Sequence, residues 1–516
     1  MRVDLNLSIV HIIEVRRIDD SLTIRGDDLF VDDCSVPELA REHGTPLFVL
    51  SEHKLRTNYR RWRDGFAAYW PAPVDIFPAF KANTTLASRH ILTDEGAGAD
   101  VYSESELVGV LSTGIDPARV SVNGGGKSDA LLERCVAEGV RITVEDLDEP
   151  KRIDAIARAQ GRRASIRLRV KPDFPSLWRP TGFTEQLATI DMGIQAYKSG
   201  IPQQYLKELG RAVLAMPNVD LVGLHLHVGR HDPSLWFWRG VMRAYADLVA
   251  TLCHAWDWRP RELDVGGGFA SPRDPFDKRG VRRDVLSSLV TYPLELMLRA
   301  VGHRRRYRAM SGMIEHVLAR NPDAPPVPSI EAYAEAVATT LAQRLRSRGI
   351  DPEGIRLQAE PGRSMYCDAG IHVARVKAVK RQTVPVSLRW VLTDTTSFFM
   401  SGAVFEQYLN RFVIANRACE DPTEVADIVG HSCAADRILP FVKVPALEEG
   451  DLVALLDTGA YQEVSAGNFN ALPRPATVLV RGDRAEVIRR AETIDDVYAR
   501  DHVPLSLQRQ AVEAAE

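Results

Sequence analysis

A chain of 516 residues with 45% hydrophobic and 26% charged residues has the balance of an ordinary globular protein, with room for two or three domains or one large barrel with an appendage. Its formal net charge of -4 excludes a general attraction to nucleic acid or to an anionic membrane surface, and no run of about 18 apolar residues offers a membrane span. Six cysteines (Cys34, Cys135, Cys253, Cys367, Cys419 and Cys433) are scattered without Cys-x-x-Cys pairs, which argues against a zinc ribbon or a disulfide framework and suits a reducing cytoplasm.

Residues 1–10 carry an early acid, Asp4, and no small-residue cleavage site, so they read as a strand or a start-site extension rather than a signal peptide. Asp20 to Asp33 alternates around a Gly26-Asp27-Asp28 turn and predicts a hairpin. Val36–His43 is helical, capped by Gly44; Pro46–Leu50 is an apolar strand; Ser51 is a good N-cap for a helix reaching Tyr69. Strand-then-helix alternation follows. Strands are predicted at Val74–Phe77, Gly98–Tyr102, Val120–Val122, Arg141–Val144, Ser165–Val170, Leu221–Val228, Glu262–Val265 and Arg356–Ala359. Helices are predicted at Ser103–Thr113, Ser128–Gly139, Asp146–Ala159, Ile201–Ala215, Ser234–Ala255 and Ile330–Ser347. The pattern is α/β, a closed barrel or an open wound sheet. Counting Pro46–Leu50 as a first strand, the number of units favours a (β/α)8 TIM-type barrel with its chemistry at the C-terminal strand ends.

Residues 271–328 interrupt the alternation with Arg282-Arg283, the basic run His303–Arg308 and a proline-rich close. The basic run reads as a solvated helical face, or as a lid or contact for an anionic group. Beyond Cys367 short β-like runs take over at Ile371–Lys377, Leu388–Thr393, Leu452–Asp457, Ala476–Val480 and Arg484–Arg489, predicting a C-terminal all-β domain completed by the N-terminal segment. The expected division is 1–45, 46–367 with the insertion 271–328, and 368–516.

Lys81 follows the strand Val74–Phe77, with a helix start signalled by Asn83-Thr84-Thr85. Burial there favours the neutral amine, a nucleophile toward aldehydes. His225 and His227 share one face of their strand, as core histidines, as a metal pair, or with one of them stacked on a flat cofactor. No later strand ends clearly on a histidine, so no metal site is expected. Gly266-Gly267-Gly268 lets backbone approach a phosphate. Asn123-Gly124-Gly125-Gly126-Lys127-Ser128 resembles a nucleotide loop but has Ser121 where that motif needs glycine, so it is rejected. Glu360-Pro361-Gly362-Arg363 sets a carboxylate for a ring nitrogen beside a phosphate clamp. Together these are the parts of a pyridoxal 5'-phosphate site.

With these motifs in this order, the chain resembles the alanine-racemase-fold (fold type III) decarboxylases that include the diaminopimelate and ornithine enzymes. The likeness rests on Gly44-Thr45-Pro46, Lys81-Ala82-Asn83, Asp100–Ser103, Gly223–Gly229, Gly266–Gly268, Glu360–Arg363, Gly430 with Cys433, Gly459-Ala460-Tyr461 and Asn470–Pro475. The resemblance implies a cytoplasmic head-to-tail homodimer with shared sites, acting on a small amino acid. Lys81 would anchor the cofactor, with Asp100 in its site; His227 would stack on the ring and Glu360 would meet its nitrogen. Gly266, Gly267, Gly268, Gly362, Arg363 and Tyr461 would hold the phosphate. Cys433 of the partner subunit would supply a proton, and Arg169, Arg230 and Asp436 would face substrate. Two departures bear on substrate. Ala434 follows the cysteine where relatives acting on diamino acids carry an acid. Thr395–Ser401 stands where the diaminopimelate enzymes have Arg-Pro and Tyr, with Phe405 near the tyrosine's place. An unpaired charged substrate end would cost several kcal/mol, so the expected substrate is a different, modified amino acid of secondary metabolism. A racemase of the same fold and a non-catalytic regulatory homologue are the alternatives; Lys81 and Cys433 favour the decarboxylase.

Overall fold

In the computed structural model, residues 15–174, 198–229, 233–271, 297, 327–383, 388–402, 410–434 and 436–507 are described. Almost all of the 271–328 insertion, together with Arg230 and Phe405, lies outside them.

Eight short strands pair side by side, all parallel, in the ring order Val74–Ile76, Arg356–Ala359, Glu262–Asp264, Val219–Leu226, Ala164–Val170, Arg141–Val144, Val120–Val122 and Ala99–Val101. The first and last meet where Gly98 N–H donates to the Ile76 carbonyl at 3.0 Å and Ala79 bridges Asp100, which closes the barrel. Sequence neighbours are spatial neighbours throughout, the outcome of right-handed strand–helix–strand units. Ser51, Ser103, Ser128, Ser234 and Ser329 each cap the helix they precede, accepting an N–H that would otherwise lack a partner.

Pro46–Leu50 does not lead into the barrel. The strand Leu47–Ser51 lies instead in a nine-stranded mixed sheet, antiparallel to Gly370–Gln382 and parallel to Ala476–Arg481. All five of its residues are buried, so it reads as a barrel strand from sequence, yet the barrel closes on eight strands without it. The sheet continues through Leu388–Thr393, Glu424–Val429 and Arg437–Val444, with Leu452–Leu455 paired to Gly370–Gln382 and Phe412–Ile414 paired to Leu452–Leu455, and Arg484–Arg489 at the other edge. Four short strands between Val15 and Ser35, including the hairpin, pack on it: Leu22, Ile24, Leu29 and Val31 share a core with Leu47, Val49, Ile371 and Val478.

Outside the barrel, Trp62, Trp238 and Tyr333 come from three helices and meet Phe269, with the Trp238 and Phe269 rings stacked at 4.5 Å. Phe269 directly follows Gly268, so this aromatic cluster anchors the end of the glycine loop.

Candidate active site

The barrel interior is charged where many barrels are filled with branched aliphatic side chains. Arg167 is fully buried and donates to Asp264, to Ser121 Oγ, to Gln358 Oε1 at 2.5 Å and to Thr143 Oγ1 at 3.2 Å. Below it Glu262 pairs with Arg141 at 2.6 Å and accepts from Gln358 at 3.1 Å. Above it, at the C-terminal strand ends, lie Asp100, Asn123, His225 and Glu360.

Lys81 sits in a single 3-10 turn, Phe80–Ala82, with a helix opening at Leu86. Its ammonium lies 3.3 Å from Asp100 Oδ2, and 42% of its side chain is open to solvent while Asp100 is buried. The Asp100 charge raises the lysine's proton affinity above its ordinary value, against the opposing effect of burial. The neutral amine expected from sequence is therefore reversed in the free protein. A carboxylate at contact distance outweighs desolvation.

Glu360 follows the strand Arg356–Ala359 and is 3% exposed. Asn123 Nδ2 donates to its Oε1 at 2.7 Å, His225 Nε2 meets its Oε2 at 3.0 Å, and Arg167 is 3.8 Å away. Burial, with Asp100 adding to it, pushes the Glu360 carboxyl up to about 7. Burial holds His225 down to about 3, so the ring stays neutral; its Nε2 donates to Glu360 when the acid is ionised and accepts from it when the acid is protonated. His225, Asp264 and Glu360 bring one donor atom each within 4.8 Å of one another, a geometry open to a cation. Arg167, paired with Asp264, already supplies that positive charge.

A pH test follows. The folded protein keeps a proton on Glu360 that the unfolded chain has released, so its contribution to stability falls as pH rises from 4.5 toward about 7. The loss is about 3 kcal/mol. His225 acts oppositely: neutral when folded, it lowers stability as pH drops below the ordinary histidine range. Glu360→Gln removes only the first slope. Urea denaturation of cofactor-free protein should show the variant gaining on wild type as pH rises; parallel curves would refute the raised carboxyl.

His227 accepts the Gly267 N–H at Nδ1 (2.9 Å), which puts its proton on Nε2 and fixes the ring beside the glycine loop. A Cβ on Gly266, whose φ is +66°, would lie 2.4 Å from the Leu226 carbonyl oxygen, and one on Gly267 would lie 2.3 Å from that of Glu360. Both positions require glycine. Gly268 completes the loop, and Asp264 accepts the Gly266 N–H at 2.7 Å. Opposite it, a Cβ on Gly362 would lie 2.5 Å from Tyr461 Oη, and the Arg363 guanidinium stands 5.0 Å from the Tyr461 ring centroid. Tyr461 N–H donates to the Ala82 carbonyl at 2.8 Å, docking the mixed sheet's loop against the Lys81 turn. Lys81, Asp100, His227, the three glycines, Glu360, Gly362, Arg363 and Tyr461 thus gather around the barrel mouth.

Three further residues have their own partners, and Arg169 is within electrostatic reach of Lys81. Arg169 is buried and paired with Glu145, which also accepts the Gly124 N–H at 2.8 Å, so its guanidinium steadies the loop after Val120–Val122. Asp436 is buried and accepts from Ser397 N–H (2.7 Å), Ser432 N–H (3.1 Å) and Ser432 Oγ (2.6 Å). Its Oδ2 is held by Ser432 within its own loop, while Oδ1 ties that loop to the Thr395–Ser401 stretch through Ser397. Cys433 is exposed at the tip of that loop; its N–H donates to Asn470 Oδ1 at 2.9 Å and its thiol accepts from Asn470 Nδ2 at 3.2 Å. None of these bonds joins it to Lys81's group. The sequence alone does not single out Asn123, Arg167, Asp264 or the contact of His225 with Glu360. The signal for the first two was weak: a polar residue ending a buried strand, and an arginine inside one.

The donor set fits pyridoxal phosphate. A protonated, accessible lysine stands over a buried acid, a carboxyl poised near neutrality can share a proton with a ring nitrogen, and glycine backbone with a buried arginine suits a phosphate. A family model described as "Pyridoxal-dependent decarboxylase, pyridoxal binding domain" matches residues 52–291. A diaminopimelate decarboxylase of Archaeoglobus fulgidus is 28% identical over 92% of this chain and 97% of its own, and one of Haemophilus influenzae is 28% identical over 91% and 96%. Among solved structures, diaminopimelate decarboxylase from M. jannaschii superposes with a TM-score of 0.78 at 23% identity, covering 95% of this chain and 99% of that one. The Helicobacter pylori diaminopimelate decarboxylase complexed with L-lysine gives 0.70 at 22% identity, covering 92% and 99%.

Proposed function

We propose that this chain, a pyridoxal-phosphate-dependent amino-acid decarboxylase of the family that includes the diaminopimelate and ornithine enzymes, acts on an amino acid whose distal end is not the ammonium-bearing end of diaminopimelate. The observation that carries the activity is the pairing of accessible Lys81 with buried Asp100 beside Glu360 at one barrel mouth. The different substrate is supported by sequence. Ala434 offers no charge after Cys433, Asp436 is committed to Ser432 and Ser397, and Thr395 and Thr396 are buried in the stretch that replaces Arg-Pro. We place the enzyme in the cytoplasm, in secondary metabolism, with the residue division given above.

Pyridoxal phosphate, when bound, accepts the electron pair left on the substrate α-carbon as carbon dioxide departs. Lys81 would hold the cofactor, and Asp100 would store the proton its amine gains or loses. Glu360, oriented by His225 and Asn123, would hold a proton at the ring nitrogen. His227 would cover one ring face, while Gly266 to Gly268, Gly362, Arg363 and Tyr461 would bind phosphate. Cys433, exposed on its own subunit, would deliver a proton to the α-carbon of a substrate bound to the partner in a head-to-tail homodimer.

Carbon dioxide release across a panel of L- and D-amino acids, with chiral analysis of unreacted substrate, tests the reaction. Release without racemisation is expected; racemisation without release would move the chain to the other chemistry. Cys433→Ala should lower turnover by about 10²–10⁴, the range for losing a general acid. Mixed with Lys81→Ala subunits, it should regain about a quarter of wild-type activity, since each mixed dimer rebuilds one of two shared sites. No recovery on mixing would rule out the shared site.

A further inference from the structure

We infer that Asn123 is a positioning residue that couples the acid beside Lys81 to the acid meeting the cofactor ring, by donating one amide N–H to each. This rests on the function proposed above. Its Nδ2 lies 2.6 Å from Asp100 Oδ1 and 2.7 Å from Glu360 Oε1, and all three side chains are buried. The amide orientation is fixed by chemistry: turned over, its oxygen would face two carboxyl oxygens. Each acid keeps its second oxygen for a different partner, Asp100 for Lys81 and Glu360 for His225.

One amide thus sets the distance and charge relation between the two ends of the cofactor site. Two buried acids bridged in this way repel each other, and each is easier to ionise for receiving an N–H. The charged and titratable groups facing Asp100 are Lys81, Glu106, Tyr366 and Glu360; those facing Glu360 are Asp100, Arg167, Lys81, His225 and Asp264. Remove the bridge and proton affinity rises at both acids. Asp100 then holds the Lys81 proton less firmly, and Glu360 loses the contact that aims it.

The test uses wild type, Asn123→Asp and Asn123→Ala. Two readouts are followed from pH 5.5 to 8.5: the thermal midpoint of cofactor-free protein, and the dissociation constant for pyridoxal phosphate from its visible absorption. Asn123→Asp keeps the shape but replaces the donor with a third acid. Its affinity should be at least about tenfold weaker at the alkaline end, about 1.4 kcal/mol, and recover toward wild type at the acidic end, where the introduced carboxyl is protonated and can donate. Its thermal gap should widen with rising pH. Asn123→Ala should show a gap of the same sign that also widens with pH, since the facing acids must then ionise without a donor. Gaps independent of pH in both variants would reduce Asn123 to a packing residue and overturn the inference. A wild type that binds no pyridoxal phosphate would sink the proposed function instead, while the cofactor-free stability curves would still judge the bridge.

Discussion

Lys81→Ala is expected to yield a colourless protein that releases no carbon dioxide, with turnover reduced on the order of 10⁴-fold or more, as when a covalent catalyst's reactive group is removed. The change is local. The lysine is partly open and lies on a one-turn 3-10 segment, so its removal leaves the barrel strands and their hydrophobic surroundings intact. What it does leave is Asp100, buried and without its closest positive neighbour. That acid will then hold a proton more tightly, so the variant's stability deficit should be small in acid and grow as pH rises. Lys81→Arg separates the two roles. It restores a positive charge beside Asp100, and with it alkaline stability, but has no amine able to form the covalent link. Colour and activity returning with the arginine would show that charge alone, not a nucleophilic amine, is what the site requires.

The fold was largely readable in the chain because parallel barrel strands, buried on both faces, appear as short apolar runs between amphipathic helices. All eight barrel strands fall within two residues of their predicted places, and the hairpin at Asp20–Asp33 is present. Leu47–Ser51 deceived because burial on both faces looks the same in a barrel and in the centre of a mixed sheet. Arg437–Val444 was passed over because Pro440 interrupts it and its pairing with Glu424–Val429 shifts register twice. The mouth residues were legible where a motif fixed them, as at Lys81, Gly266–Gly268 and Glu360. The groups that tune them were not. Ser121, Thr143, Arg167, Asp264 and Gln358 come from five different strands, and only closure of the barrel brings them together. Asn123 lies inside a glycine-rich stretch that resembles a nucleotide loop, and only barrel closure sets it between Asp100 and Glu360.

Arg167→Met should destabilise the protein by about 3–5 kcal/mol, the cost of removing one partner from a buried ion pair and leaving the other charge behind. Asp264, which loses its guanidinium, is fully enclosed, and Glu262 and Glu360 lie 3.7 and 3.8 Å from the same arginine. The methionine fills the volume, so a cavity contributes little and the deficit is electrostatic. Burial already raises the Asp264 carboxyl above its ordinary value against the arginine's opposing pull; without Arg167 it rises further. A folded-state proton affinity raised in this way lowers stability as pH climbs, so the variant should lie nearest to wild type in acid and farthest from it above neutrality. Adding Asp264→Asn should recover much of the loss, because the amide oxygen still accepts the Gly266 N–H, the charge closest to the lost guanidinium is gone, and Glu262 keeps Arg141. Urea denaturation of the single and double variants at acid and alkaline pH decides the matter. Equal deficits at both pH values, or no recovery in the double variant, would mean that Arg167 acts through packing. The same pair governs function, since Asp264 orders the glycine loop. Cofactor affinity should therefore fall in Arg167→Met and return in the double variant, in step with stability.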